Sequence, residues 1–252
     1  MLLLNRLTIL ARRKAAARRL GISFTRAGTF TMPEQVRIDG RLIDLQLPNE
    51  HGVRIAFAEL LLDDCYRLRW LVRQGETVAR IVDIGANVGL FSMAARNAFS
   101  NAVIHAYEPN RTLEPYLSHQ SRKARVEVFY EAVGREAGRV SLTILDEAES
   151  VHTASRSDPA GTIPQIALRK AIKRMGGTVD LLKIDCEGAE WEMLEDPESW
   201  RPVRYVTMEY HLRPSDGHDA IVGALARCGF SIQHHRPVDT YGLVFARNER
   251  PL

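Results

Sequence analysis

Asp83-Ile84-Gly85-Ala86-Asn87-Val88-Gly89 stands directly after an apolar strand pattern and directly before a helical one. Glycines at such a junction let the backbone pass close beneath a ligand, and the helix that follows presents unsatisfied N–H groups to it. The spacing is not the GxGxxG dinucleotide fingerprint, because Asn87 stands where a second close glycine would fall. The turn therefore favours nucleotide cofactors that lack a pyrophosphate. Taken alone, a plain strand-to-helix turn is the competing reading of this stretch.

Outward from that turn, strand and helix patterns alternate. Residues 78–84, 102–107 and 126–131 read as strands, with helices over 89–98 and 113–123 between them. That succession implies right-handed crossovers and a parallel sheet. Residues 140–145 read as a further strand and 149–161 as a polar loop rich in Ser, Thr and Asp. A helix over 166–175 stops at Gly176-Gly177, and the alternation resumes with strand 179–184, helix 189–194, strand 205–209 and helix 219–228. Strands 230–233 and 243–246 are joined by too short a segment for a helical crossover, so they are expected to form an antiparallel hairpin. The fold class is thus α/β, a Rossmann-like doubly wound, mostly parallel sheet. Upstream, Asp39-Gly40 signals a hairpin within 35–57, and 58–73 reads as one helix with an apolar face. The expected organisation is a basic helical extension over 1–34, a strand and helix cap over 35–75, and a catalytic domain over 76–252.

Composition narrows the class. A chain of 252 residues holds one α/β domain with additions and is too short for two. No apolar run approaches the ~20 residues that cross a bilayer, which argues against an integral membrane protein. Cys65, Cys186 and Cys228 lie far apart without a CxxC pair, so neither a disulfide framework nor a zinc site is suggested, and a reducing, cytoplasmic setting fits. Residues 1–26 carry seven Lys/Arg and no acid, which leaves the remainder at a net −4. Asn5 and Arg6 interrupt the leucines of that segment, and Arg12, Arg13 and Lys14 follow them, which disfavours a secretory signal. Two readings of the segment stay open: a helix packed on the domain with a solvated basic face, or one that touches an anionic surface.

Two further stretches carry chemistry. Glu108, in Tyr107-Glu108-Pro109-Asn110, closes the second strand 25 residues beyond Asp83. One carboxylate at that place accepts hydrogen bonds from both hydroxyls of a ribose, and Pro109 ends the strand and fixes the turn that presents it. Asp180-Leu181-Leu182-Lys183-Ile184-Asp185-Cys186-Glu187-Gly188-Ala189-Glu190 is a buried-strand pattern ending in acids and a glycine. Ligands of open α/β sheets bind beyond the carboxyl ends of the strands, so Asp185 and Glu187 should face the crevice of Gly85 and Glu108. Glu190 serves equally well as a helix-end acid that complements the dipole.

These residues resemble the FkbM family of S-adenosylmethionine (SAM)-dependent methyltransferases. The likeness rests on VDIGANVGLFS at 82–92, AYEPN at 106–110, EAVG at 131–134, VDLLKIDCEGAEWEML at 179–194 and MEYH at 208–211, and covers roughly 60–230. It implies a class I methyltransferase fold, a seven-stranded sheet with one antiparallel C-terminal strand, and O-methylation of hydroxyls on sugars, glycolipids or polyketide-type products. Carried over by position, the SAM-binding loop falls on Asp83, Gly85, Asn87 and Gly89, and the ribose acid on Glu108 with Asn110 beside it. Glu131 and Ala132 fall near the adenine, and Asp185 nearest the sulfonium and the acceptor. The expected mechanism is in-line attack by an acceptor oxygen on the methyl group, with Asp185 or His211 as the base. Asp185, Glu209 and His211 together are a conceivable Mg²⁺ site, though no dedicated metal spacing is present and a metal is not expected. The expected partner is a small-molecule, glycan or lipid-linked acceptor. RNA methylation is the second enzymatic reading, disfavoured because Asp185-Cys186-Glu187 stands where base-amine enzymes carry an Asn/Asp-Pro-Pro segment. A SAM-binding module without catalysis is the third.

Overall fold

The computed structural model describes residues 2–22, 32–146 and 149–249. Helix α1 (Leu2–Arg19) precedes a hairpin of β1 (Gln35–Ile38) and β2 (Arg41–Asp44). Asp39 and Gly40 both take positive φ in its turn, the backbone that a two-residue hairpin requires. Helix α2 (His51–Phe57) then runs into a π-helical turn, Ala58–Asp63, and α3 (Leu68–Arg73) follows.

The expected single helix over 58–73 is therefore broken. Asp64 and Arg67 sit in the left-handed region, and both carboxylate oxygens of Asp64 accept the Arg69 N–H at 3.1 Å. That side chain starts α3 afresh, a local alternative that apolar periodicity does not register. Helix α1 is not detached from the rest. Ala16, Ala17, Leu20 and Ile22 are buried in one cluster with Val36, Phe57, Leu62 and Leu71, and Arg13 Nε donates to Asp63 Oδ1 at 2.7 Å. No helix among the described residues is long and apolar enough to cross a membrane.

The central sheet starts with β3 (Arg80–Ile84), α4 (Leu90–Ala98), β4 (Val103–Tyr107), α5 (Glu114–Ala124) and β5 (Glu127–Phe129). A four-stranded arm follows: β6 (Ala132–Gly134), β7 (Gly138–Asp146), β8 (Glu149–Ser157) and β9 (Ile163–Ala167). Here the expected polar loop over 149–161 is corrected. Residues 149–157 are strand, paired antiparallel to β7 with Thr143 opposite Ala154 and Val140 opposite Ser157. Ser and Thr are at home in strands as well as in loops, so their abundance did not separate the two.

After α6 (Leu168–Arg174) the chain returns to the sheet through β10 (Val179–Ile184), α7 (Glu190–Met193), β11 (Val203–His211), α8 (Asp219–Arg227), β12 (Phe230–Val238) and β13 (Tyr241–Asn248). The seven strands lie in the order β12-β13-β11-β10-β3-β4-β5, and β13 runs antiparallel to both neighbours. Alternate residues separate two cores. Ile81, Leu181, Tyr205 and Phe245 face α4, the cap and α1, while Val82, Leu182, Val206 and Ala246 face α6, Trp191 and α8. This is a doubly wound sheet, and its order reverses between β3 and β10, the place where such sheets open a crevice.

Candidate active site

At the end of β3 the chain turns through Gly85 (φ +73°) and Asn87 (φ +51°) before α4 begins after Gly89 (φ +85°). Gly85 is demanded by the neighbouring strand: a Cβ there would lie 1.7 Å from the Asp185 carbonyl oxygen. The sequence reading assigned that space to a ligand, so the physical reason for this glycine is corrected. Gly89 likewise serves packing, because its Cβ would lie 3.1 Å from Leu117 Cδ1 on α5. Asn87 takes a left-handed conformation that asparagine tolerates better than most side chains, and its Oδ1 accepts the Val88 N–H at 2.8 Å.

The backbone N–H of Asn87 donates to Glu108 Oε2 at 2.7 Å, and that of Asn110 donates to Oε1 at 2.8 Å. Burial raises the Glu108 carboxyl to about 7, with the two N–H bonds pulling the other way. Each oxygen retains a second lone pair, and the residue lines a cavity of about 300 Å³. Glu131 and Ala132 line the same end of it. Glu131 is held by Arg174 at 2.8 Å, whose guanidinium lies 4.1 Å over the Phe129 ring.

Beneath the turn lies a buried ion pair. Lys183 Nζ stands 3.2 Å from Asp83 Oδ1 and donates to the carbonyls of Ile84 at 3.2 Å and Gly85 at 2.5 Å. Asp83 Oδ1 meets the ammonium without an aligned hydrogen bond, while Oδ2 accepts the Ser92 hydroxyl at 2.7 Å. Burial alone would lower the Lys183 pKa, but the charges of Asp83 and Asp185 more than offset it, so the net shift is upward. Two buried charges are tolerable only because they are paired and bonded, and removing one would strand the other.

The far end of the cavity is acidic. Asp185 Oδ2 accepts the Tyr66 hydroxyl at 2.9 Å and lies 3.8 Å from Lys183. Tyr66 is buried edge-on against Phe91, and burial pushes its hydroxyl well up. Glu59, Glu187 and Glu209 complete the acidic wall, with Val53, Leu60 and Thr153 among the residues around them. Behind it, fully buried Glu190 accepts the His211 backbone N–H at 2.7 Å and the Gly188 N–H at 2.8 Å. It ties the β10 turn to the end of β11, beyond the dipole role foreseen for it. His211 Nε2 lies 3.1 Å from Glu187 and 3.8 Å from Glu209, and Nδ1 lies 3.5 Å from Glu190. Burial would lower its pKa, yet these three carboxylates outweigh that and raise it to about 9.

Of the residues expected at the site, Gly85, Asn87, Glu108, Glu131, Ala132 and Asp185 line the cavity. Asp83, Gly89, Asn110 and His211 do not; the first three support the turns, and His211 sits behind Glu187. Sequence reasoning missed Lys183 and Tyr66 and considered Glu209 only as a metal ligand. The signal for Lys183 was present, since a lysine inside an otherwise apolar strand needs a buried partner. No group of three or more His, Cys, Asp or Glu side chains among the described residues is arranged to hold a metal ion.

A reversed seven-strand order with acids at the ends of adjacent strands defines the class I methyltransferase architecture. Residues 83–232 match the Methyltransferase FkbM domain, and the chain belongs to this family. Methyltransferase sdnD of Sordaria araneosa is 28% identical over 236 residues, spanning 77% of this chain and 89% of its own. Methyltransferase 1 of Beauveria bassiana (strain ARSEF 2860) is 25% identical over 231 residues, spanning 78% and 90%. Among solved structures, the N-terminal domain of EvdMO1 with SAH bound is similar at a TM-score of 0.49 and 12% identity, covering 97% of each chain. Magnesium protoporphyrin IX methyltransferase (ChlM) from Synechocystis PCC 6803 with bound SAM is similar at 0.48 and 14%, covering 82% of this chain and 86% of its own.

Proposed function

We propose that the protein is a SAM-dependent O-methyltransferase acting on a hydroxyl of a sugar, glycolipid or polyketide-type product in the cytoplasm. The observation that carries the reading is one continuous cavity lined by Glu108 at one end and by Asp185 and Glu209 at the other. The donor set fits the cofactor: Glu108 offers lone pairs to a ribose diol, and the acidic wall suits a cationic sulfonium. When bound, SAM supplies an activated methyl with its own leaving group. Glu108 then fixes the nucleoside, while Lys183 holds the Gly85 carbonyl and so the shape of the turn. Tyr66 orients Asp185 toward the reacting end. The apolar side chains of Val53, Ala56 and Leu60 exclude water and hold the body of the acceptor. Cys65, Cys186 and Cys228 lie far apart in sequence without a CxxC pair, which fits a reducing compartment.

The test is transfer of label from methyl-labelled SAM, by purified protein, to extracted glycan, lipid, small-molecule and RNA fractions. Label is expected in a hydroxyl of one of the first three and to survive a chelator. Label confined to RNA would overturn the acceptor class, and no transfer together with no binding of S-adenosylhomocysteine (SAH) would overturn the cofactor.

A further inference from the structure

We propose that Glu209 is the base that takes the acceptor's hydroxyl proton, and that Asp185 beside it remains the fixed counter-charge to the transferring methyl; this rests on the methyltransferase reading of the cavity. In the parallel pairing of β10 and β11, Lys183 stands opposite Thr207 and Ile184 opposite Met208. Asp185 and Glu209 are the next residues along the two chains, and both line the cavity.

Their surroundings differ. Asp185 Oδ2 is engaged by the Tyr66 hydroxyl at 2.9 Å, so a proton arriving there would have to displace a donor already in place. Among the described residues no hydroxyl or N–H group donates a hydrogen bond to Glu209, and the nearest cation is His211 at 3.8 Å. His211 is the poorer base: it does not line the cavity, and Glu187, Glu190 and Glu209 around it raise its pKa to about 9.

The groups facing Glu209 all act on its charge. Asp185 and Glu187 approach from the β10 turn and Glu59 from the π-helical turn, all acidic, while His211 on its own strand opposes them. Cys65, Tyr66 and Tyr241 are neutral neighbours pushed upward by burial first and in part by Glu209 itself. Burial first and Asp185 second raise Glu209 to about 8, which makes it a strong base once ionised and a reluctant one before. Docking a cation against this wall favours the ionised form, so the methyl donor would switch on its own base. In the transfer, the acceptor oxygen bonds to the methyl carbon, the carbon–sulfur bond breaks with its electron pair left on sulfur, and the hydroxyl proton passes to Glu209.

SAM and SAH carry the same titrating groups and differ by the fixed sulfonium charge, so their difference separates this effect from Glu108 at the other end. Calorimetric titration of the full chain at neutral pH, in buffers of different ionisation enthalpy, counts the protons released by each ligand. SAM is expected to release a fraction of a proton more than SAH, Glu209→Gln to abolish the excess, and His211→Gln to keep it. On an acceptor found by label transfer, Glu209→Gln should lose ~10²-fold in single-turnover rate at saturating SAM, with Glu209→Asp intermediate. Equal proton release by SAM and SAH in the wild type overturns the assignment without any variant, as does an excess that survives in folded Glu209→Gln. Binding of neither ligand overturns the cofactor reading, and this inference falls with it.

Discussion

Replacing Glu108 by glutamine would turn an amide NH₂ toward either the Asn87 or the Asn110 N–H, both of which now point at carboxylate oxygens. The turn after β3 and the turn after β4 would lose a common anchor, and the ribose would lose an acceptor. We expect SAH affinity to fall by about 1–3 kcal/mol, read by calorimetry, and an unchanged Kd would remove Glu108 from the site. Burial lifts this carboxyl to about 7, and the diol prefers the ionised form, so wild-type affinity should decline as pH falls through that value and stay flat in the variant. At this scale the sequence disclosed Glu108 and Asp185 because a strand end beside a glycine turn constrains what an acid there faces. It did not disclose Tyr66, which reaches Asp185 across 119 positions of chain, since no local pattern marks a contact of that separation.

At the scale of elements, the core alternation was legible in the sequence and the acceptor end was not. Strands β3, β4, β10 and β11 are buried on both faces and announce themselves as apolar runs. The cap helix broken at Asp64 and the arm strand β8 depend instead on one carboxylate cap and one antiparallel pairing. Those two elements bring Leu60 and Thr153 to the cavity, which motivates a test of the arm. Thr153→Trp should cut turnover at least tenfold while leaving SAH affinity unchanged, because the indole would fill acceptor space only; loss of SAH binding would place β8 at the cofactor instead. A different outcome is expected where two strands meet. Gly85→Ala pushes a methyl into the Asp185 carbonyl, so it should destabilise the fold by about 3 kcal/mol as well as weaken binding. A normal melting temperature with lost SAH affinity would return that glycine to its ligand role.

For the whole molecule, the acidic cavity makes stability depend on pH in a definite direction. Glu108 and Glu209 are raised from 4.5 to about 7 and about 8, mainly by burial, so the folded state binds their protons more tightly than the unfolded chain does. Their stabilisation is present at low pH and is lost as pH rises through those folded values. His211, raised from 6.5 to about 9 by its three carboxylates against the opposing effect of burial, acts in the same sense: its contribution is full below 6.5 and gone above about 9. On the acid side, His105, His234 and His235 are lowered from 6.5, chiefly by burial, so they cost stability only where the unfolded chain would protonate them. Below pH 6.5 the two groups of residues oppose each other, and above it the carboxyls and His211 act alone, so stability declines from 6.5 to about pH 9. Calorimetric melting temperatures across that interval should fall steadily. Glu209→Gln, which keeps the shape without the charge, should flatten the part of the fall below about pH 8. Saturating SAM should restore more stability at the alkaline end than SAH does, because only SAM brings a cation to the ionised wall. A melting temperature that is level or rises over the same interval would show that these carboxylates are better solvated than their burial implies, and would remove the electrostatic basis for assigning the base to Glu209.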